Sequence, residues 1–178
     1  YDKEISNSNL SIRNLKDWWE NKSSDKILPR LLQSIENNDI EKKFFLIYYN
    51  NIYKQYATDE LPALLPQVYL HYDPKTVKEL KGKNRLYKQR MDFLMLVKGN
   101  RIIVELDGVQ HYSDENIKTS PKKYIASPEK YAELVKYDRD MKLSGYDVYR
   151  FGGYEFIHSD VENKIIAFYE NILKKYYF

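Results

Sequence analysis

The chain has 178 residues, of which 43% are hydrophobic and 31% charged, with a formal net charge of +3 and no cysteine. That length supports one filled core, or one core with a helical appendage, and the missing cysteines exclude a disulfide framework or thiolate metal site and are compatible with a reducing, cytoplasmic compartment. No apolar run approaches bilayer-spanning length and the N-terminus lacks the basic and apolar regions of a signal peptide, so no membrane partner is expected; a start at Tyr1 in place of Met suggests a C-terminal fragment of a longer chain with upstream domains.

In chain order, residues 10–21, 27–37 and 39–58 read as three helices, and residues 1–58 as an N-terminal helical segment. Ile27, Leu28, Leu31, Leu32 and Ile35 follow helical spacing, and the third segment carries Phe44, Phe45, Tyr48, Tyr49, Ile52, Tyr53 and Tyr56. Aromatics at that spacing, like Trp18 and Trp19, are read as packing residues in preference to a base-stacking platform. Pro62 and Pro66 break the pattern, and Gln67 to Tyr72 looks like a strand ended by Asp73-Pro74.

The next stretch is basic. Residues 75–101 hold nine Lys or Arg against Glu79 and Asp92, a local charge of +7, and Lys81, Lys83, Arg85, Lys88 and Arg90 are candidate contacts to a nucleic-acid backbone. A solvated loop with charged rims is the alternative. Arg90 to Lys98 and Arg101 to Asp107 are apolar runs separated by Gly99-Asn100, a two-residue hairpin signal. With those two as the turn, Leu94 faces Glu105 and Asp92 faces Asp107, so Asp92, Glu105 and Asp107 project from one face with neighbouring Cβ atoms roughly 5 to 7 Å apart. Three acids so close on a half-buried surface call for a hard divalent cation, Mg²⁺ or Mn²⁺, or for protonation. The alternative is that the acids are satisfied one by one, by a backbone amide, by an arginine and by solvent.

Residues 113–127 are polar and suit an exposed loop beside the acids. Ser127-Pro128 opens a helix that runs to a stop at Gly145; Tyr146 to Phe151 is a strand, and Ser159 with Glu162 forms a capping-box pattern ahead of a C-terminal helix. The order is helix, strand, two-strand hairpin, helix, strand, helix: a mixed α/β arrangement with acids near a sheet centre.

These residues resemble the PD-(D/E)XK nuclease superfamily, whose restriction-endonuclease-like αβββαβ core carries an Asp on one strand and a Glu or Asp on the next. Met91-Asp92-Phe93, Val104 to Gly108 with Gln110-His111-Tyr112, Asp138-Arg139, and Gly145-Tyr146 with Val148 to Phe151 are similar to the branch of very-short-patch-repair endonucleases. The match covers about residues 60–158, within a nuclease-like domain at 59–178. The resemblance implies a metal-dependent endonuclease acting on DNA, with RNA also open, in which Asp92, Glu105 and Asp107 hold Mg²⁺ or Mn²⁺. It also implies an effector domain of a phage-defence protein.

One departure stands out: the superfamily lysine two positions after Glu105 is replaced by Asp107. His111 is the substitute as proton carrier, Gln110 could orient water or a phosphate oxygen, and Lys88 and Lys136 are alternative cations. His111 could equally serve only to hydrogen-bond a carboxylate. Asp138 and Arg139 support the site by resemblance, an ordinary ion pair being the alternative, and Glu60 ranks last as the acid supplied by the superfamily's first helix. A catalytically inactive nucleic-acid-binding or docking module on the same fold is the rival reading, and an oligomer is left open.

Overall fold

The computed structural model of the chain describes residues 9–69, 90–116 and 123–178. Helix α1 (Ile12–Glu20) opens with a reciprocal cap: Asn14 N–H donates to Ser11 Oγ at 3.1 Å while Ser11 N–H donates to Asn14 Oδ1 at 3.2 Å. Helix α2 (Ile27–Gln33) follows, then α3 (Asp39–Ile47), whose first amides are received by Asn38 Oδ1. The helix expected over 39–58 widens into a π turn at Tyr48–Ile52 before closing as α4 (Tyr53–Tyr56). Tyr48 and Tyr49, both buried in that turn, donate to the carbonyls of Pro62 and Leu64.

Strand β1 (Leu65–Tyr69) starts two residues before the expected strand, whose last residues lie outside the described ones, as do Lys81, Lys83, Arg85 and Lys88. Strands β2 (Arg90–Val97) and β3 (Asn100–Asp107) form the expected hairpin in a different register, with Val97 opposite Asn100 and Phe93 opposite Val104. The turn residues are Lys98 and Gly99, at φ +47° and +87°, in place of Gly99-Asn100. Two positive φ values are what a tight right-twisted hairpin turn demands, and Gly99 takes the larger one at no steric penalty, while Asn100 Nδ2 donates back to the Val97 carbonyl at 3.1 Å. The expected pairs Leu94/Glu105 and Asp92/Asp107 are therefore replaced by a register two residues away.

The loop expected at 113–127 is in part a second hairpin, β4 (Ser113–Asn116) with β5 (Lys123–Ala126). Tyr124 and Ile125, on opposite faces of β5, are both exposed, so the hairpin carries no burial period to read. Helix α5 (Pro128–Leu143) begins with its proline in the first turn and ends before Gly145 at φ +82°. Strand β6 (Tyr146–Gly152), a 3₁₀ segment at Gly153–Ile157 and α6 (Val161–Tyr176) complete the chain. The Ser159/Glu162 capping box does not form: the N-cap is Asp160, which leaves Glu162 one position too early to reach back, and its carboxylate receives Asn51 Nδ2 instead.

The protein is mixed α/β, with a four-stranded sheet in the order β1-β2-β3-β6. The first three strands are antiparallel neighbours, and β6 returns through α5 to lie parallel to β3. On one sheet face Phe93 and Phe151 pack against Phe44 of α3 at 5.2 and 5.3 Å between ring centroids, with Phe168 and Tyr169 of α6 closing the cluster. The helices of residues 1–58 thus share one core with the sheet. The other face receives α5, and the acids point to that side. Among the described residues no helix is long and apolar enough to cross a membrane.

Candidate active site

Extending the β2/β3 register by one residue sets Asp92 opposite Glu105, and the β1/β2 register sets Gln67 on the other side of Asp92. Alternation along the strands keeps Asp92, Glu105 and Asp107 on one face, as the residue pattern requires. Leu106 N–H donates to Asp92 Oδ2 at 2.8 Å, so this carboxylate takes up an amide of the neighbouring strand. Glu105 is only 8% exposed and accepts one hydrogen bond, from the Tyr137 hydroxyl on α5, at 3.0 Å. Burial, reinforced by Asp92 across the ladder, pushes the Glu105 carboxyl up to about 8, so it is largely protonated at neutral pH. Burial also raises Asp92, against the Leu106 amide, His111 and Arg90. Burial and the Glu105 carboxyl raise the Tyr137 phenol, which stays a donor.

A fourth acid, Glu41 of α3, joins this group. It is 4% exposed, and burial raises its pKa despite the hydrogen bond from Gln67, with Asp92 adding to the effect. Asn38 Nδ2 donates to its Oε1 at 2.6 Å and Gln67 Nε2 to its Oε2 at 3.1 Å. Gln67 holds that position from a left-handed backbone at φ +51°, a conformation a glutamine adopts only under constraint. The readable signal was Asn38 followed three residues later by Glu41, a helix-start pattern, but nothing in it announces an approach to β2. Glu60, the acid weighed for that role, instead pairs with Arg13 at 2.5 Å with both side chains more than half exposed.

Arg150, which sequence reasoning passed over, lies beside Glu105 in the parallel β3/β6 register. Its Nη1 donates to Asp107 Oδ1 at 2.7 Å, its Nε donates to Asp138 Oδ1 at 2.8 Å, and its guanidinium sits 5.3 Å from the Tyr137 ring centre. Burial alone would lower its pKa, but Asp107 and Asp138 outweigh it and raise it. Asp107 is thus committed to Arg150, with His111 Nδ1 a further 3.7 Å from the same oxygen. His111 and Gln110 occupy the 3₁₀ turn after β3, where Gly108 leaves the space into which the Gln110 amide folds. Arg139 and Lys136 are exposed on α5 and do not line the site.

An open cleft of about 640 Å³ collects these groups: Glu41, Arg90, Asp92, Glu105, Gln110, His111, Tyr137 and Arg150 all line it. Among the described residues no three Asp, Glu or His side chains converge into a ready cage for a metal ion. The donor chemistry nevertheless fits Mg²⁺, which binds through one or two carboxylates and keeps most of its waters. Asp92 Oδ1 and Glu105 Oε2 accept no hydrogen bond among the described residues, which leaves one oxygen of each carboxyl available as a ligand. Compared with protein-family models, curated proteins and solved structures, the chain matches none.

Proposed function

We propose that this chain is a nuclease domain on a restriction-endonuclease-like core, hydrolysing phosphodiester bonds in DNA with Mg²⁺ or Mn²⁺. The observation that carries the reading is the pair Asp92 and Glu105, set opposite one another on adjoining strands, open to a cleft and backed by Glu41. Asp92 and Glu105 would hold the ion; Asp107, bound to Arg150, acts through water or through that arginine. A divalent ion held there supplies Lewis acidity, making water a stronger acid and offsetting the charge that grows on the phosphate. His111, past the end of β3 at the cleft, carries protons, and Gln110 orients water or a phosphate oxygen. Arg90 on the cleft wall, with Lys81, Lys83, Arg85 and Lys88 before it in sequence, would position the nucleic-acid backbone, a contact that carries no base information. A role as the effector of a phage-defence protein rests on the family resemblance alone.

The test is incubation of the purified protein with plasmid, linear duplex and single-stranded DNA and with RNA, in EDTA, Mg²⁺ or Mn²⁺. Cleavage in the divalent ions, absent in EDTA and in Glu105→Gln, supports the reading; cleavage unchanged by Glu105→Gln sinks the assignment of that residue. One observation favours a second reading, a binding or docking module that does not cleave: Asp107, at the superfamily's lysine position, is tied to Arg150. Salt-sensitive DNA binding with no cleavage under any metal condition would select it.

A further inference from the structure

Resting on the nuclease reading, we propose that Arg150 is a catalytic residue that contacts the scissile phosphate, supplying from β6 the cation missing at position 107, with Asp107 and Asp138 as its positioning residues. A guanidinium has five N–H donors in a rigid fork. Here Nε–H is spent on Asp138 and one Nη1–H on Asp107; the other Nη1–H and both on Nη2 meet no acceptor among the described residues. The side chain is 18% exposed and lines the cleft, so those donors have access to a bound phosphate. Two carboxylates at 2.7 and 2.8 Å and the Tyr137 ring fix the guanidinium plane, and the parallel register fixes its place next to Glu105.

The other cations are worse placed. Lys130 lines the cleft, but its ammonium is held by the Ser113 carbonyl at 2.6 Å and Asp114 at 2.8 Å. Lys136 is exposed on α5 and does not line the cleft. Arg90 is exposed where it lines the cleft, and among the described residues no pair of carboxylates bonds its guanidinium as Asp107 and Asp138 bond that of Arg150. The two acids around Arg150 also set what it can do. They offset its charge, which makes it a poor ground-state anion trap, yet they hold directed N–H groups at fixed positions. Such donors act most where charge builds on the non-bridging oxygens during displacement, so the contribution falls on the chemical step more than on binding.

The experiment pairs kinetics with a readout that needs no catalysis. Arg150→Lys keeps the charge but loses the fork; with folding checked by its melting curve, it should lower kcat about 10²-fold or more while KM and duplex affinity in EDTA move less than about threefold. Asp138→Asn, which leaves the Asp107 bond in place, should lower kcat about tenfold and serves if Arg150→Lys does not fold. In parallel, the arginine Nε–H resonance of Arg150, assigned through its loss in Arg150→Lys or its displacement in Asp138→Asn, is followed in wild-type protein titrated with a DNA duplex in EDTA. A shift of that resonance together with the kcat loss supports the proposal. A resonance that stays put while other signals move overturns the phosphate contact whatever the kinetics give. A variant that cleaves at the wild-type rate removes Arg150 from the chemistry and leaves the nuclease reading standing. If wild-type protein cleaves nothing, a shifted resonance keeps the phosphate contact and discards the nuclease reading, whereas an unmoved one discards both.

Discussion

Replacing Glu105 with Gln tests the charge logic of the cleft without disturbing its shape. Gln keeps an Oε1 acceptor for the Tyr137 hydroxyl, and its amide N–H₂ faces Asp92, so no buried partner is orphaned. The Glu105 carboxyl sits at about 8 in the folded protein against 4.5 for an unperturbed glutamate. Because the folded value is the higher one, the contribution of Glu105 to stability is full below about pH 4.5, is lost steadily as pH rises towards 8, and levels off beyond. At roughly 1.4 kcal/mol per unit the loss has a ceiling of roughly 5 kcal/mol, and about 3 kcal/mol is a sober expectation for an interior that relaxes around its charges. In a chain of this size that corresponds to a melting temperature higher by about 10 °C for the variant at alkaline pH, with little difference near pH 5. Thermal and urea unfolding in EDTA, at about pH 5, 6.5 and 8.5, measure it directly. Asp92 and Glu41, also raised by burial, will leave a residual slope in the variant. Equal slopes for wild type and Glu105→Gln across that window would refute the argument, since the titrating group would then lie elsewhere.

Arg150→Met leaves Asp107 and Asp138 facing one another with no cation between them; stability should fall by about 2 to 3 kcal/mol, measured by urea unfolding at neutral pH. Gln67→Gly relieves a left-handed backbone worth roughly 1 kcal/mol and takes one donor from Glu41, so cleavage should drop while the melting temperature holds or rises; a parallel loss of both would make Gln67 merely structural. His111→Ala should keep DNA binding and lower the cleavage rate about 10²- to 10⁴-fold, and wild-type turnover in that variant would move proton transfer to another group. Changing Lys81, Lys83 and Arg85 together to Ser should flatten the salt dependence of DNA binding by up to about 0.9 in log–log slope per lost phosphate contact; an unaltered slope would mark them as a solvated loop.

Much of the site's framework is local and therefore legible from residue order. The face shared by Asp92, Glu105 and Asp107 survived an error in the hairpin turn because side chains alternate with a period of two, and the true register differs from the expected one by two residues. The helix at Asp39–Ile47, the Gly145 stop and the β6 strand follow from spacing, caps and backbone preference in the same way. What residue order could not supply is contact across long separations. Glu41 reaches Gln67 across 26 positions and Arg150 reaches Asp107 across 43, and neither pairing leaves a trace in any window of sequence. The capping box at Ser159 failed because the helix starts one residue later than its pattern requires, with Asp160 at the N-cap and Glu162 at the second helical position. Alternation and capping are decided by neighbours in the chain, so the sequence by itself determined which acids share a face. The packing of α3 beside β1 and of β6 beside β3 decided which acid joins them from α3 and which cation stands beside them.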